Sequence, residues 1–470
     1  MRFVPLLLLL GLPRLASAQS FDADLARSVA IPGGLTAAEV SRRATSTSFD
    51  VSARRAELDA AAAGVDRALA QYLPRVVVSG RYTRLSDPGE SGAGNIVVAP
   101  GAPAGPLPPG QQLVNVPLSF PVLRNQWSFQ AGMSVPISDY FLRIGAAHAA
   151  ARAGQESTAS VLAASERRAR ADAVQAYWIW VRAELSTLVA ERALDQAKSH
   201  LTDARTAEEV GSASLADVLR VESQVAKSEL LLESSRNLAE VAEERVRLVM
   251  RAPEGTQYRV GDDPRLDPPA LGKASAKELV ARAIAQRSEL SSLRQLAVAK
   301  RRAARAERAA MLPRLDGFAN YYYSNPNPRA FPQKDEFRSS WDLGLAVTWV
   351  LSDVPGASAA ARAESARAAV ADAERAALEE RVRLEVSQAR QDARTADLAL
   401  ATTKKGLAAA EEAYRVRRIA FQNGKATSTE LMDADTDLTR ARFEALGARV
   451  DARVARVRLA FAVGDEVDRP

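Results

Sequence analysis

The chain repeats itself. Tyr72-Leu73-Pro74-Arg75 recurs as Met311-Leu312-Pro313-Arg314, 239 residues later. Trp127 recurs as Trp341, and Ser138-Asp139 as Ser352-Asp353, both at an offset of 214. Gly211, Ser214 and Asp217-Val218-Leu219 recur as Gly424, Thr427 and Glu430-Leu431-Met432. An ordered series of repeated signals demands two similar halves and outranks any single motif as evidence of fold. Each half reads helix, strand, loop, strand, long helix, glycine tip, helix. The halves are residues 19–251 and 277–470, and the proline-bearing stretch 252–276 joins them. The fall in offset makes the first strand-to-strand segment 25 residues longer than the second. That excess lies in Leu85–Asn125, whose eight prolines predict a surface loop with little helix or strand.

No proline interrupts the chain between Pro136 and Pro253, or between Pro355 and Pro470. These stretches are rich in Ala, Arg, Glu and Leu, all strong helix formers. Apolar residues recur at threes and fours through Val161–Glu208 and Ala359–Arg418, the pattern of long amphipathic helices. A single helix over Tyr140–Glu209 is about 105 Å long at 1.5 Å per residue. Helices of that length pack on one another, or on other chains, in an elongated bundle.

Four short segments differ in character: Arg75–Arg84, Gln126–Ile137, Arg314–Ser324 and Ser340–Val350. In the second, Trp127, Phe129, Ala131, Met133 and Val135 alternate with small or polar residues. In the fourth, Trp341, Leu343, Leu345, Val347 and Trp349 do the same. Each is about the length a tilted strand needs to cross a bilayer, with aromatics near the ends as in an interface girdle. Half-buried strands of a small soluble sheet give the same alternation, so the pattern alone leaves both readings open.

The N-terminus narrows the compartment. Arg2, the apolar run Phe3–Leu12 and Ala16-Ser17-Ala18 describe a secretory signal over residues 1–18, cut before Gln19. No later window is long and apolar enough for a spanning helix. There is no cysteine, which excludes disulfides, thiolate metal sites and a cysteine nucleophile. His148 and His200 are the only histidines, so no metal site or cofactor is expected; Met and His clusters of a dedicated copper or silver exporter are also missing. With 63 basic against 57 acidic residues the charge surplus is small, and no nucleic-acid partner is expected. No G-x-S-x-G, P-loop or HExxH pattern occurs, and the paired carboxylates Glu208-Glu209 and Asp262-Asp263 are sequence neighbours that do not converge. An enzyme is not expected. Tyr177, Trp178 and Trp180 read as packing between helices.

Four amphipathic strands cannot close a barrel, and an open edge is not tolerated in lipid. Two chains give eight strands, a barrel filled by its own side chains. Three chains give twelve, enough to leave a lumen, which the long helices extend as a tube. That shape conducts solutes. The fold expected is therefore mainly α with a small transmembrane β part, in which long antiparallel helical hairpins continue a trimeric twelve-strand barrel.

Here the sequence resembles the TolC family of outer-membrane efflux channels, over nearly the whole mature chain. The resemblance rests on the two Leu-Pro-Arg joints, the paired strand hairpins and the duplicated tips. It implies an outer-membrane homotrimer reaching through the periplasm, docked to an adaptor protein and through it to an inner-membrane pump. It assigns adaptor contact to the tips, Val210-Gly211 and Asn423-Gly424. It places Glu430 and Asp433 around the closed tunnel mouth, with Phe421 where the family often has tyrosine; the strand pattern itself puts Trp127, Trp341 and Trp349 at the membrane interface. Ala426 stands where some relatives place a basic partner, with Lys425 one residue off, which counts against a salt-bridge lock there. Independently of the resemblance, Gly211 and Gly424 supply the backbone freedom of a chain reversal, and Ser214 and Thr427 can cap the returning helices with Asp217 and Glu430. The function expected is the passive exit duct of a tripartite efflux pump or type I secretion system, for small molecules or proteins; the alternative is a soluble periplasmic coiled-coil adaptor or structural scaffold. The tryptophan-edged strand faces favour the duct.

Overall fold

Proline placement and helix propensity divide the chain into long helices separated by short strands. The computed structural model describes residues 28–86, 92–101, 105–119, 123–211 and 213–467; the expected signal over 1–18 lies outside them. The principal elements are α1 (Ala37–Thr47), α2 (Phe49–Ala70), β1 (Arg75–Arg84), β2 (Gly92–Val98), β3 (Val114–Ser119), β4 (Asn125–Val135), α3 (Gly145–Glu209), α4 (Leu215–Met250), α5 (Ala276–Gln286), α6 (Ser288–Ala309), β5 (Arg314–Asn325), β6 (Arg338–Thr348), α7 (Val354–Gln422) and α8 (Ser428–Val463). A π-helical turn, Tyr140–Ile144, precedes α3, so the regular helix begins five residues later than the apolar periodicity predicts. At 65 and 69 residues, α3 and α7 are each about 100 Å long. Among the described residues no helix is long and apolar enough to cross a membrane.

Two compact units are present. One comprises residues 59–157 and 293–373 and holds the strands. Its four-stranded antiparallel sheet has the order β1-β4-β5-β6. Each half of the chain supplies one pair, β1 with β4 and β5 with β6, and β4 with β5 joins them. The register aligns Val78 with Ala131, Ala131 with Tyr321, and Tyr321 with Trp341. Because side chains alternate across a pleated sheet, this register collects one apolar face: Val76, Val78, Phe129, Met133, Leu343 and Leu345 are all exposed on it. The opposite face carries Arg81, Ser128, Gln130, Asn320, Tyr322, Ser340 and Asp342. There Asn320 Nδ2 donates to Asp342 Oδ1 at 2.8 Å, and Arg329 both pairs with Asp342 and stacks over Tyr322. The outer edges of β1 and β6 pair with no other strand of the sheet.

The segment Leu85–Asn125 departs from its expected structure. It holds a second, two-stranded sheet of β2 and β3, pairing Ile96 with Val116 and Val98 with Val114. The short Ile-Val-Val and Val-x-Val runs are strand formers that its proline content masks. The fourth strand also ends earlier than its alternation suggests, so Trp349 follows the last paired residue, Thr348.

Both Leu-Pro-Arg joints work alike. The helix tightens into a final i→i+3 turn before the proline, with Leu73 N–H on the Ala70 carbonyl and Leu312 N–H on that of Ala309, both at 3.1 Å. An aromatic donor then closes the equivalent carbonyl in each half: Tyr140 Oη donates to Tyr72 O at 3.0 Å, and Trp349 Nε1 to Met311 O at 3.1 Å.

The other unit comprises residues 28–58, 158–292 and 374–467 and is helical. Its core centres on Tyr177, Trp180, Val181 and Leu185 of α3, packed with Val40 of α1, Val246 and Met250 of α4, and Val450 of α8. Tyr177 Oη donates to Leu35 O at 2.9 Å and accepts from Asp262 N–H, tying α3 to the Leu35–Val260 bridge. The aromatic trio is thus a buried packing cluster, with Arg453 stacked on Trp178. A second core joins Leu279 and Leu290 of α5 and α6 to Val382 and Val386 of α7 and Val463 of α8. Alanines at 445, 448, 452 and 455 are buried along α8, the small residues that close helix approach requires.

Candidate functional site

The helical unit ends in two tips built by the same chemistry. At the second tip Gly424 has φ +68, its N–H donates to the Phe421 carbonyl at 2.9 Å, and the Lys425 N–H reaches the Ala420 carbonyl at 2.8 Å. This is a glycine-terminated helix end, in which the left-handed residue lets the chain turn while the last carbonyls stay satisfied. Asn423 adds a side-chain bond to the Ile419 carbonyl. At the first tip Gly211 has φ +74 and donates to the Glu208 carbonyl at 2.9 Å. Val210 beside it is exposed.

Each returning helix begins with a reciprocal capping box. Ser214 Oγ accepts from Asp217 N–H at 3.2 Å while Ser214 N–H donates to Asp217 Oδ2 at 3.1 Å. Thr427 Oγ1 accepts from Glu430 N–H at 3.2 Å while Thr427 N–H donates to Glu430 Oε2 at 3.0 Å. The tips are brought together by Arg220 on Thr429 and by an apolar contact of Ala204, Val218 and Val221 with Met432.

Glu430 also meets a cation that sequence spacing does not reveal. Arg417, thirteen residues earlier on α7, pairs with Glu430 Oε1 at 3.1 Å. The position of Ala426 pointed away from a basic partner, yet the chain reversal supplies one from the preceding helix. The backbone N–H of Thr427 and then the Arg417 charge hold the Glu430 carboxyl below the usual glutamate range, so it stays ionised. Asp433, one turn on, is also exposed and shares its face of α8. Phe421 is half-buried, against Tyr414, Leu431 and Leu438. Among the described residues no group of three or more His, Asp or Glu is arranged to hold a metal ion.

In the sheet unit the three tryptophans fall at opposite ends of the strands. Trp127 stands where β4 begins, 4.5 Å from the Tyr82 ring, and Trp341 where β6 begins, beside Tyr321. Trp349 lies at the other end, after β6. Tyr82, Tyr321 and Tyr323 extend the first band, and sequence reading missed them because β1 and β5 lack a clean alternation. One aromatic band thus borders the apolar face at the start of β4 and β6, with Trp349 at the far end, an arrangement of the kind found in the girdles of bilayer-crossing strands.

A sheet with one exposed apolar face, in a chain of long helical hairpins, is the arrangement expected of an outer-membrane channel protein. The family model described as "Outer membrane efflux protein" matches residues 40–250 and 279–465. The chain belongs to that family: it is an outer-membrane efflux channel. Its fold is similar to that of the outer-membrane channel OprN, at 18% identity and TM-score 0.71, covering 96% of this chain and 92% of that one. It is similar to the Campylobacter jejuni CmeC outer membrane channel at 13% identity and TM-score 0.69, covering 95% and 87%. It is also similar to the open state of the Neisseria gonorrhoeae MtrE outer membrane channel at 14% identity and TM-score 0.72, covering 92% and 89%. No curated protein sequence matches. The adaptor-or-scaffold alternative is set aside by the family match.

Proposed function

We propose that this channel works as a homotrimer whose tips dock a periplasmic adaptor and, through it, an inner-membrane pump. The sheet carries the proposal. Its apolar face suits lipid, but β1 and β6 leave two open edges, and unpaired backbone in hydrocarbon costs several kcal/mol per group. Pairing β6 of one copy with β1 of the next removes both edges, and three copies give a twelve-strand barrel with the Ser/Gln/Asn face turned to water. The helical unit leaves apolar residues for such neighbours: Leu230, Leu238, Val241 and Leu248 are exposed on α4, and Leu384 and Leu398 on α7. Cargo then passes through a water-lined duct, driven by the pump. Val210, Gly211, Asn423 and Gly424 form the adaptor contact, and Trp127, Trp341 and Trp349 anchor the barrel at the two interfaces.

The assembly is tested by the protein-only mass of the species extracted in detergent from purified outer membranes. A mass near three mature chains is expected. Recovery as a monomer in osmotic-shock fluid overturns both the trimer and the barrel.

Glu430 and Asp433, with Phe421 beneath them, form the gate. Around a threefold axis three copies of Asp433, beside three Arg417–Glu430 pairs, concentrate negative charge at one constriction, which attracts cations and repels anions. The double variant Glu430→Gln, Asp433→Asn keeps an acceptor for the Thr427 N–H while removing both charges. In planar bilayers it is expected to weaken block by a multivalent cation about tenfold or more. Unchanged block and unchanged ion selectivity remove these residues from the gate.

A further inference from the structure

One ionisable group in the helical unit is used by neither tip. Asp435 lies on α8 between Leu431 and Leu438, four residues after one and three before the other, so it shares their inward face. It is 4% exposed, and its Oδ1 has no hydrogen-bond partner. A carboxyl group therefore occupies a core position of the seam joining α8 to α7. Across the same seam Tyr414 of α7 packs with Leu431 and Leu438, and its hydroxyl lies 3.3 Å from Nε2 of His200 on α3. His200 is itself 9% exposed. That contact links one helical hairpin to the other. Beside it opens a cleft of about 1450 Å³, lined among others by His200, Asp203, Tyr414, Arg418 and Arg442.

We propose that Asp435 and the His200–Tyr414 contact form a proton-operated latch: the protonated carboxyl lets α8 seat against α7 and α3, and its ionisation unseats it, so the closed tips open as the pH rises. This rests on the reading of the tips as the gate.

The groups that face the latch come from three helices. On α8 Arg442 lies two turns beyond Asp435; α7 brings Glu411, Tyr414 and Arg418; α3 brings Arg192, His200 and Asp203. Of α4, the apolar Val218 and Val221 pack nearby, and Asp217, held by Ser214, lines the same cleft, as do Asp195 of α3 and Arg415 of α7. Burial raises the Asp435 carboxyl from its ordinary 3.8 to about 7, against the opposing pull of Arg442. The seated state thus holds the proton more tightly than an opened, hydrated one. Its stability is full below the ordinary value, falls as pH rises from there, and is least once the seated carboxyl ionises near 7. His200 acts in the opposite sense. Burial lowers its pKa from 6.5, so its protonation weakens the seated state only as pH falls below that value.

The test is the pH dependence of conductance by the intact assembly in planar bilayers, for wild type, Asp435→Asn and His200→Gln. Wild-type open probability is expected to rise about tenfold or more from pH 5.5 to 7.5. Asp435→Asn, a permanently uncharged isostere, is expected to lose the rise and to stay at or below the wild-type value at pH 5.5 throughout. His200→Gln is expected to keep the rise and lower the acid end further. A conducting wild type whose pH profile is shared by Asp435→Asn overturns the latch and leaves the channel reading standing. No conductance from any assembly at any pH overturns both. Hydrogen exchange on wild type alone gives a second measure. Protection of the α8 amides around Asp435, corrected for intrinsic rate, should fall over the same pH interval, and pH-independent protection overturns the proposal.

Discussion

Gly424→Pro is expected to reduce efflux to the level of cells lacking the channel, while its amount in the outer membrane stays within about twofold of wild type. Gly424 sits at φ +68, and proline is confined near −65°, so the ring cannot occupy the native turn. The substitution also removes the N–H that satisfies the Phe421 carbonyl, and displaces Lys425 from the Ala420 carbonyl. Together these cost on the order of 3 kcal/mol, enough to unravel a local turn. The damage stays local because the cores around Tyr177 and around Val382 contain no tip residue. Gly424→Ala separates backbone from bulk. A methyl group there meets nothing within 4 Å, so only the left-handed backbone is penalised, by roughly 1–2 kcal/mol, and a partial loss is expected. Drug susceptibility and membrane immunoblots read the two quantities independently. Normal efflux by the proline variant takes the second tip out of partner docking.

What the sequence made legible follows from the range of each interaction. Helices and strands depend on local periodicity, so the proline-free runs and the alternating Trp127–Val135 and Trp341–Val347 segments announced themselves. The capping boxes were equally legible, since Ser214 with Asp217 and Thr427 with Glu430 act across three residues. Duplication reinforced both, because two copies of a weak signal in one order exclude coincidence. Contacts closed by the fold were not legible. Arg417 reaches Glu430 only because the chain reverses at Gly424, and Tyr414 finds His200 from a helix 214 residues away. Asp435 stands between the exposed Asp433 and Asp437 in sequence, and only the phase of α8 places it inward. The β2–β3 hairpin was hidden for another reason: its strands are short, and the prolines around them outweigh their β-propensity in any window reading.

Leu345→Arg tests the lipid-facing assignment at its most demanding point. Leu345 is the middle apolar residue of β6, 71% exposed, flanked on its face by Leu343 and Val347 and paired with Gly317. If that face meets water in the working protein, arginine there is a surface substitution worth at most about 0.5 kcal/mol, and exposure to solvent makes it harmless. If the face meets hydrocarbon, an arginine near the bilayer midplane costs roughly 2–4 kcal/mol per strand. In the proposed trimer the penalty would recur in each copy, so assembly should fail: trimer in the outer membrane is expected to fall about tenfold or more, with the chain diverted to periplasmic proteolysis. Ala346→Arg is the matched control, one residue along on the opposite face and across from Asp316, whose carboxylate already holds Arg314 at 2.8 Å. It adds the same bulk and the same charge to the same strand. Its trimer yield should stay within about twofold of wild type, with any effect confined to ion selectivity, as expected of a lumen residue. Equal losses in both variants would mean that the strand is merely intolerant of arginine. Loss at 345 alone, with the trimer read in the outer membrane, means that the two faces of β6 see different surroundings, as a closed, membrane-inserted sheet requires.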